Sequence, residues 1–156
     1  MSTTPQLARK SIFALVDAGW GAKAPAIVAP SGAPEMRWQG AEQPGVPGSD
    51  KFWARTSTAL ATTRQSAFAT DAIGAAAIEY ESNGIVMVQI FAPMNKAGSY
   101  AKGELLAEAA QCMFMAAHTA AGVWFRNPRI NELPNDGTWH RWNVIADFRF
   151  NQVKGA

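Results

Sequence analysis

The most apolar short run of the sequence is IVMVQIF, residues 85–91, bounded by Gly84 before it and by Ala92 and Pro93 after it. Apolar and β-branched residues between such boundaries are typical of a buried strand. A loop with Gly98 follows, and residues 100–118 then contain much Ala, Leu and Met and no proline. Apolar residues recur there at helical spacing, over about five turns: Leu105, Ala109, Cys112, Met113 and Ala116. Residues 84–118 therefore predict a strand, a loop and a helix that buries Cys112.

Upstream of this unit, the sequence predicts one helix and one long loop. Thr4 and Pro5 are typical of a helix start, and the apolar stripe behind them ends near Ala18. Residues 23–50 are rich in proline and glycine, so they predict a loop, with residues 26–29 as its only candidate strand. Loops of this length inside a domain are usually functional or mobile.

Three shorter patterns flank the central unit. Residues 52–68 alternate weakly and predict a long strand, while residues 82–84 predict a turn before the central strand. After the second helix, residues 123–126 predict a short strand that ends near Pro128. Residues 131–137 contain proline and Asp-Gly and predict a loop.

The clearest alternation lies at residues 139–151, which predict a half-buried antiparallel strand. Five residues share its predicted buried face: Trp142, Val144, Ala146, Phe148 and Phe150. The order of elements is therefore helix, loop, strand, strand, helix, strand, strand. This order predicts an α+β fold in a single domain, residues 1–156, with a mixed, mainly antiparallel sheet and two main helices packed on one face.

Composition narrows the class of protein. The 156 residues carry a net charge of +2, which gives no strong attraction to nucleic acid or acidic lipid. Cys112 is the only cysteine, so a disulfide framework within the chain is excluded. The sequence has no secretory signal pattern and no run of roughly 18 apolar residues, so an intracellular protein without a membrane span is expected. Six Trp and eight Phe favour a protein that assembles.

No pattern in the sequence is typical of a catalytic, cofactor or metal site. The loop at residues 93–99 lacks the glycine spacing and the Gly-Lys-Ser/Thr ending of a phosphate-binding loop. His118 and His140 have no partner at metal-ligand spacing, and His118 is expected at the C-terminus of the second helix. Glu79 and Glu81 share one predicted strand face, where we expect solvated carboxylates rather than an acid/base pair. The sequence therefore predicts no enzyme, no cofactor and no metal.

The order of these features resembles a known family over nearly the whole chain. The resemblance rests on segments that follow the first helix in a fixed order: MRW at 36–38, FWAR at 52–55, NGIVMVQIFAP at 83–93, the helical residues 107–114, and the closing strand from GTW at 137–139 to Phe150. This order resembles the tail terminator, or tail completion, proteins of long-tailed bacteriophages. The Ala/Thr-rich stretch at 57–78 is longer than that family's pattern.

The resemblance implies an α+β subunit of a hexameric ring that caps the tail tube, ends its polymerisation and offers a docking surface to the head–tail connector protein. The implied partners are further copies of the chain, the tail tube protein and the connector. DNA would pass through the ring without sequence-specific binding, and no membrane is involved. The implied location is the tail–neck junction of the virion, and the host cytoplasm during assembly. Such proteins are not enzymes, need no cofactor and have no catalytic residue to transfer.

Candidate interface residues follow from this sequence rather than from the family. A ring subunit contacts identical neighbours head to tail, and long strands and flexible loops are suited to such contacts. The strand at 52–68 and the loop at 93–103 are therefore the expected contact segments. The strand contributes Trp53, Arg55 and Arg64, and the loop contributes Lys96 and Lys102 toward the channel or the docking partner. Two further arginines are expected in protein–protein ion pairs: Arg126 and Arg129.

Two other functions compete with the terminator. One is a different neck or tail component, such as a connector or a tube subunit that polymerises openly. The other is a small ligand-binding α+β dimer with a pocket between sheet and helix. A hexamer favours the terminator, whereas a dimer favours ligand binding.

Overall fold

The computed structural model describes residues 2–70 and 73–155, with two helices and five strands in the described chain. In chain order the elements are α1 Pro5–Val28, β1 Glu35–Trp38, β2 Trp53–Thr70, β3 Ala76–Pro93, α2 Ser99–Phe114, β4 Trp124–Leu133 and β5 Trp139–Gly155. The five strands form one sheet in the order β1-β2-β3-β5-β4. The pair β1 and β2 is parallel and all other pairs are antiparallel. The predicted α+β fold with a mixed, mainly antiparallel sheet is confirmed.

The core lies between one face of the sheet and both helices. Val86, Val88 and Ile90 of β3 are fully buried, and so are residues at helical spacing such as Ile12 of α1 and Leu106 of α2. Each such side chain contributes about 1.5–3 kcal/mol when it is removed from water. The predicted inward residues of β5 are all buried, which confirms that strand and its face: Trp142, Val144, Ala146, Phe148 and Phe150.

Helix α1 is ten residues longer than the predicted end at Ala18, so that boundary is wrong. Gly19 and Gly21 do not end the helix, because its second half is held by burial of Trp20, Ala24 and Val28. The indole Nε1 of Trp20 also donates to the Pro34 carbonyl at 3.1 Å. Tertiary packing therefore overrides the low helix propensity of glycine.

The long loop predicted at residues 23–50 is correct only in part. Residues 23–28 belong to α1, which also makes the candidate strand at 26–29 wrong. Strand β1 at Glu35–Trp38 interrupts the remainder and pairs with Trp53–Thr56. Four residues are too few for a periodicity signal, so this strand is recognisable only by its partner.

The turn predicted at residues 82–84 does not exist, because β3 runs through it without a break. Gly84 serves close packing instead. A Cβ atom there would overlap the Ala59 carbonyl oxygen and the Phe148 ring. Ser82 is fully buried, and its hydroxyl lies 2.9 Å from that of Thr63. A polar Ser-Asn-Gly sequence is thus accommodated inside a strand.

Helix α2 ends at Phe114, four residues before the predicted end, and its buried face is rotated from the predicted one. Leu105 is half exposed and Cys112 is exposed, which corrects the expectation that Cys112 is buried. The helix turns Gly103 toward the sheet instead, where the ring of Trp142 occupies the space that a side chain would fill. His118 is not a helix terminus; it forms a β-bridge with Trp124.

Strand β4 continues to Leu133, beyond the predicted end near Pro128 and into the predicted loop at 131–137. The pairing shifts register between Arg126 and Arg129, and Asn127 has a φ of 51°. This irregularity accommodates the proline, which edge strands tolerate.

Candidate assembly surfaces

The sheet face that points away from the helices carries a row of polar side chains across all five strands. We call this surface the open face, and its central row consists of aligned residues: Arg37, Arg55, Gln89, Asn143 and Asn131. The Nε of Arg55 donates to Oε1 of Gln89 at 2.6 Å. The Oδ1 atom of Asn143 is buried and has no hydrogen-bond partner among the described residues. The row therefore presents fixed donors and acceptors on a surface that no helix covers.

An aromatic cluster adjoins this row at one end of the open face. It contains Trp53, Phe91 and Trp139, all at most 8% exposed. The rings of Trp53 and Phe91 stack at 3.8 Å, and Trp139 meets both edge-on. The guanidinium groups of Arg37 and Arg55 lie over Trp53 and Phe91, at 5.1 and 5.7 Å from the ring centroids. Stacking of this kind holds the two cations in place.

The loop after β1 is fastened beside this cluster. The guanidinium of Arg37 donates to the carbonyls of Pro44 and Gly45 at 3.2 and 2.7 Å. The indole Nε1 of Trp139 donates to the Lys51 carbonyl at 3.1 Å. The Nε1 of Trp53 is buried and has no partner among the described residues. A shallow cavity of about 400 Å³ lies here, lined by Arg37, Trp53, Arg55 and the loop.

The opposite edge of the open face carries two of the predicted arginines. Arg126 is exposed, and Arg129 places Nη1 3.2 Å from Oδ1 of Asp147. A hydrogen bond from the Asn127 amide, together with Arg129, holds the pKa of Asp147 below its ordinary value. Asp147 stays ionised as a result, and it neutralises part of the positive charge at this edge.

The far end of β2, β3 and β5 extends into a three-stranded segment that we call the arm. It contains residues 59–70 of β2, 76–84 of β3 and 148–155 of β5. On its open face, the Arg64 guanidinium lies 3.1 Å from the Glu81 carboxylate, and Arg149 lies 3.9 Å from it. Hydrogen bonds from Asn83 and then Arg64 hold the pKa of Glu81 below its ordinary value. The Arg64 side chain is still 72% exposed.

The outer edge of β2 is covered only at its beginning. Strand β1 pairs with Trp53–Thr56, and Gln39 adds two bonds, to the Thr56 carbonyl at 3.0 Å and from the Thr58 amide at 2.8 Å. From residue 59 to residue 70, no strand of the described chain pairs with that side of β2. Register irregularities occur within this stretch at Ala61 and Ser66.

Lys96 and Lys102 lie apart from the arginines. The Nζ of Lys96 is 3.4 Å from the Ser31 hydroxyl, and the Nζ of Lys102 donates to the Ala29 carbonyl at 3.1 Å. Both lysines thus tie the start of α2 to the segment after α1. The structure brings Trp53, Arg55, Arg64, Arg126 and Arg129 to one face of the sheet, and it places the two lysines elsewhere.

Sequence reasoning found the strand that carries the bare edge but not the edge itself. The weak alternation of residues 52–68 predicted that strand. The polar row was missed because its five members lie on five strands, and only the register aligns them. In the described ranges no cluster of three or more His, Cys, Asp or Glu side chains is arranged to hold a metal ion. Neither described helix combines the length and apolar character needed to cross a bilayer.

Comparisons with known proteins inform the fold. No protein-family model matches the sequence, and no curated protein matches it significantly. Among solved structures, one chain with 16% sequence identity superposes with a TM-score of 0.52, over 92% of this chain and 96% of that one. At this identity the likeness shows a shared fold and nothing about activity.

Proposed function

We propose that this chain is a tail terminator of a long-tailed bacteriophage: a subunit of a ring, six-fold in the family it resembles, that caps the tail tube and receives the head connector. Support comes from the order of sequence segments described above and from the surfaces of the folded chain. In this proposal the protein acts by assembly at the tail–neck junction, with other copies, the tube protein and the connector as its partners.

The observation that carries the proposal is the open face. A sheet with helices on one face only must either be polar on the other or be covered by a partner. Here the other face combines stacked aromatic rings with arginines, which are the residue types enriched in protein interfaces. Arg37 and Arg55 are already oriented by the rings beneath them, so little side-chain entropy is lost on docking.

Electron microscopy of tails made without this protein tests the proposal. Tails of excessive length, or tails without heads, are the expected result. Normal completed virions would overturn it. Complementation sharpens the test: Arg55→Ala is expected to restore tail completion poorly, because Arg55 lies in the central row of the open face. Lys10→Ala is the matched control, since Lys10 is exposed on α1, away from that face.

The cavity beside the aromatic cluster favours one alternative, a small ligand-binding protein. Its volume of about 400 Å³ and the guanidinium groups of Arg37 and Arg55 in its lining suit a small anionic molecule. A dimer in native mass spectrometry that gains mass from a bound metabolite would favour this function. A hexamer favours the terminator, and open-ended polymers favour a tube subunit.

A further inference from the structure

The outer edge of β2 in the arm has no partner strand within the described residues. Its residues 59–68 and 70 are all exposed. An edge of this length offers a row of unpaired backbone N–H and C=O groups, which recognise another strand. Monomeric proteins usually protect such edges with proline, inward-facing charges or a covering segment.

The same molecule covers the end of β5 and the start of β4, the other strand borders near the arm. Along β5, the Thr3 amide donates to the Asn151 carbonyl at 3.0 Å and the Val153 amide donates to the Ser2 hydroxyl at 3.0 Å. Along β4, the Phe125 amide donates to the Ala117 carbonyl at 3.4 Å, and His118 bridges to Trp124. The edge at residues 59–70 has no proline, and its one charged side chain, Arg64, is already paired with Glu81.

The complementary edge is the second half of β4, residues 129–133. It follows Pro128 and forms the other border of the sheet. Since the strands alternate in direction from β2 through β3 and β5 to β4, β2 and β4 run in opposite directions. When two copies stand side by side in the same orientation, β2 of one therefore meets β4 of the next as an antiparallel pair.

The two edges are also offset along the strands. Strand β5 gives a common scale for both edges. Asn131, the centre of the β4 edge, aligns with Asn143 of β5, whereas Gln65, near the centre of the β2 edge, aligns through Tyr80 with Gln152. This difference of about nine residues corresponds to roughly 30 Å at ~3.3 Å per residue. A stagger repeated at every contact inclines the strands to the axis, as the closure of a sheet into a ring requires.

We infer that residues 59–70 of β2 pair antiparallel with residues 129–133 of β4 in a second copy of this chain, so that the sheet continues from copy to copy. The contact is head to tail, and it forms a closed ring when the rotation between copies closes. This inference rests on the proposed function only in taking all copies to stand in the same orientation around one axis.

Cysteine cross-linking tests the pairing directly. Cys112→Ser gives a cysteine-free background, because the chain has one cysteine. Thr62 and Asn131 lie on the open face at the two edges, and neither side chain makes a hydrogen bond within the described residues. Purified Thr62→Cys protein is mixed with Asn131→Cys or Leu133→Cys protein at rising concentration and oxidised mildly. The matched control replaces Thr62→Cys with Asn95→Cys, in the exposed loop at the other end of β3.

The expected result is a mixed disulfide between position 62 and position 131 or 133, at least tenfold above the control. The doubly substituted chain is expected to give a ladder of covalent oligomers that ends at the ring. Disulfides mainly between two copies of Thr62→Cys would show two-fold pairing of the β2 edges and overturn the inference. A yield equal to the control would overturn it too.

A backbone substitution separates edge pairing from side-chain effects. Because the Thr58 amide faces outward and Ala61 shifts the register by one residue, the Gln65 amide also faces the free edge. Gln65→Pro removes that N–H, whereas Gln65→Ala keeps it. Proline is expected to abolish the cross-linked ladder and alanine to leave it, with unchanged circular dichroism in both; equal ladders would refute the pairing.

The outcomes also distinguish this inference from the proposed function. If the ladder forms but tails made without the protein are normal, the edge pairing stands and the terminator function falls. If those tails are overlong but no 62–131 or 62–133 disulfide forms, the function stands and the ring is built through another surface.

Discussion

The indole ring of Trp53 stacks on the phenyl ring of Phe91 with 3.8 Å between centroids and 3° between planes, on the sheet face that has no helix. Trp53 is 8% exposed, so in the single chain it is a packing residue, and its Nε1 has no hydrogen-bond partner within residues 2–70 and 73–155. We expect Trp53→Ala to lower the free energy of unfolding by about 3–5 kcal/mol. Arg55→Ala removes an exposed group over the same cluster and is expected to cost about 1 kcal/mol or less.

Urea denaturation followed by fluorescence measures both changes. Trp53→Phe serves as a control that keeps a ring in the stack and should lose less than Trp53→Ala. If Arg55→Ala is as destabilising as Trp53→Ala, the guanidinium is a structural element of the cluster, and its assignment to an assembly surface loses support.

Two helical glycines are expected to respond to alanine in opposite directions. At Gly103 of α2, a Cβ would overlap the Trp142 ring and meet Cβ of Ala92 at 3.0 Å, so Gly103→Ala should destabilise by about 1–3 kcal/mol. At Gly21 of α1, nothing lies within 4 Å of the added Cβ, so Gly21→Ala should stabilise by about 0.5–1 kcal/mol. Thermal unfolding of the two variants gives the sign of each change.

The Asp136 carboxylate makes the free energy of unfolding depend on pH in the acidic range. Its Oδ1 accepts from the amides of Trp139 and Thr138 at 2.8 and 3.0 Å, and these bonds hold its pKa below the ordinary value of 3.8. The stabilisation is complete above the unfolded pKa and is lost as pH falls through the lower folded pKa. Asp136→Asn should therefore be less stable than the natural chain at pH 7, and the difference should shrink below about pH 4.

Chemical denaturation between pH 2.5 and 7 tests this behaviour. Asp17→Asn provides the control, because it removes the same charge from an exposed position on α1. A difference between the natural chain and Asp136→Asn that stays constant across this range would show that the carboxylate does not carry the effect.

Cys112 is exposed on the outer side of α2, so its thiol should react fully with a maleimide in the native protein. Cys112→Ser should change the free energy of unfolding by less than about 0.5 kcal/mol, because it empties no core position. Mass spectrometry of the labelled protein and a denaturation curve provide the two measurements. If Cys112 is labelled only in denaturant, its side chain is buried, as the helical spacing of the sequence predicted.

The sequence predicted those elements in which the hydrophobic pattern extends over many residues and only one face is buried. Strand β5 alternates from Trp142 to Phe150, so both its existence and its buried face were predictable. Glycines were wrongly taken as the ends of elements, because their role here is to allow close packing. Gly84 leaves room for the Phe148 ring, and a Cβ at Gly19 would come within 2.8 Å of Met113 of α2. A linear pattern records that glycine is present, but it does not record what approaches it.

The candidate surfaces were predictable only as residue types. Arg55 was a candidate because of its position in the predicted strand, and Arg129 as an arginine expected in ion pairs. The register shows that they share one sheet face across four strands. The polar row and the bare edge depend on strand order, and strand order depends on long-range pairing that one sequence does not display. Strand β1 illustrates the limit, since its four residues decide where the free edge of β2 begins.

The two register irregularities in the arm affect more than local pairing. A bulge bends its strand and increases the twist, and Ala61 and Ser66 place two of them along one edge. A copy joined at that edge is therefore rotated relative to its neighbour instead of lying coplanar with it. The rotation per copy fixes how many copies complete a circle. The number of subunits would then depend on the positions of these two extra residues in β2. Deleting one of them would change the stoichiometry of the assembly without altering a contact in the core.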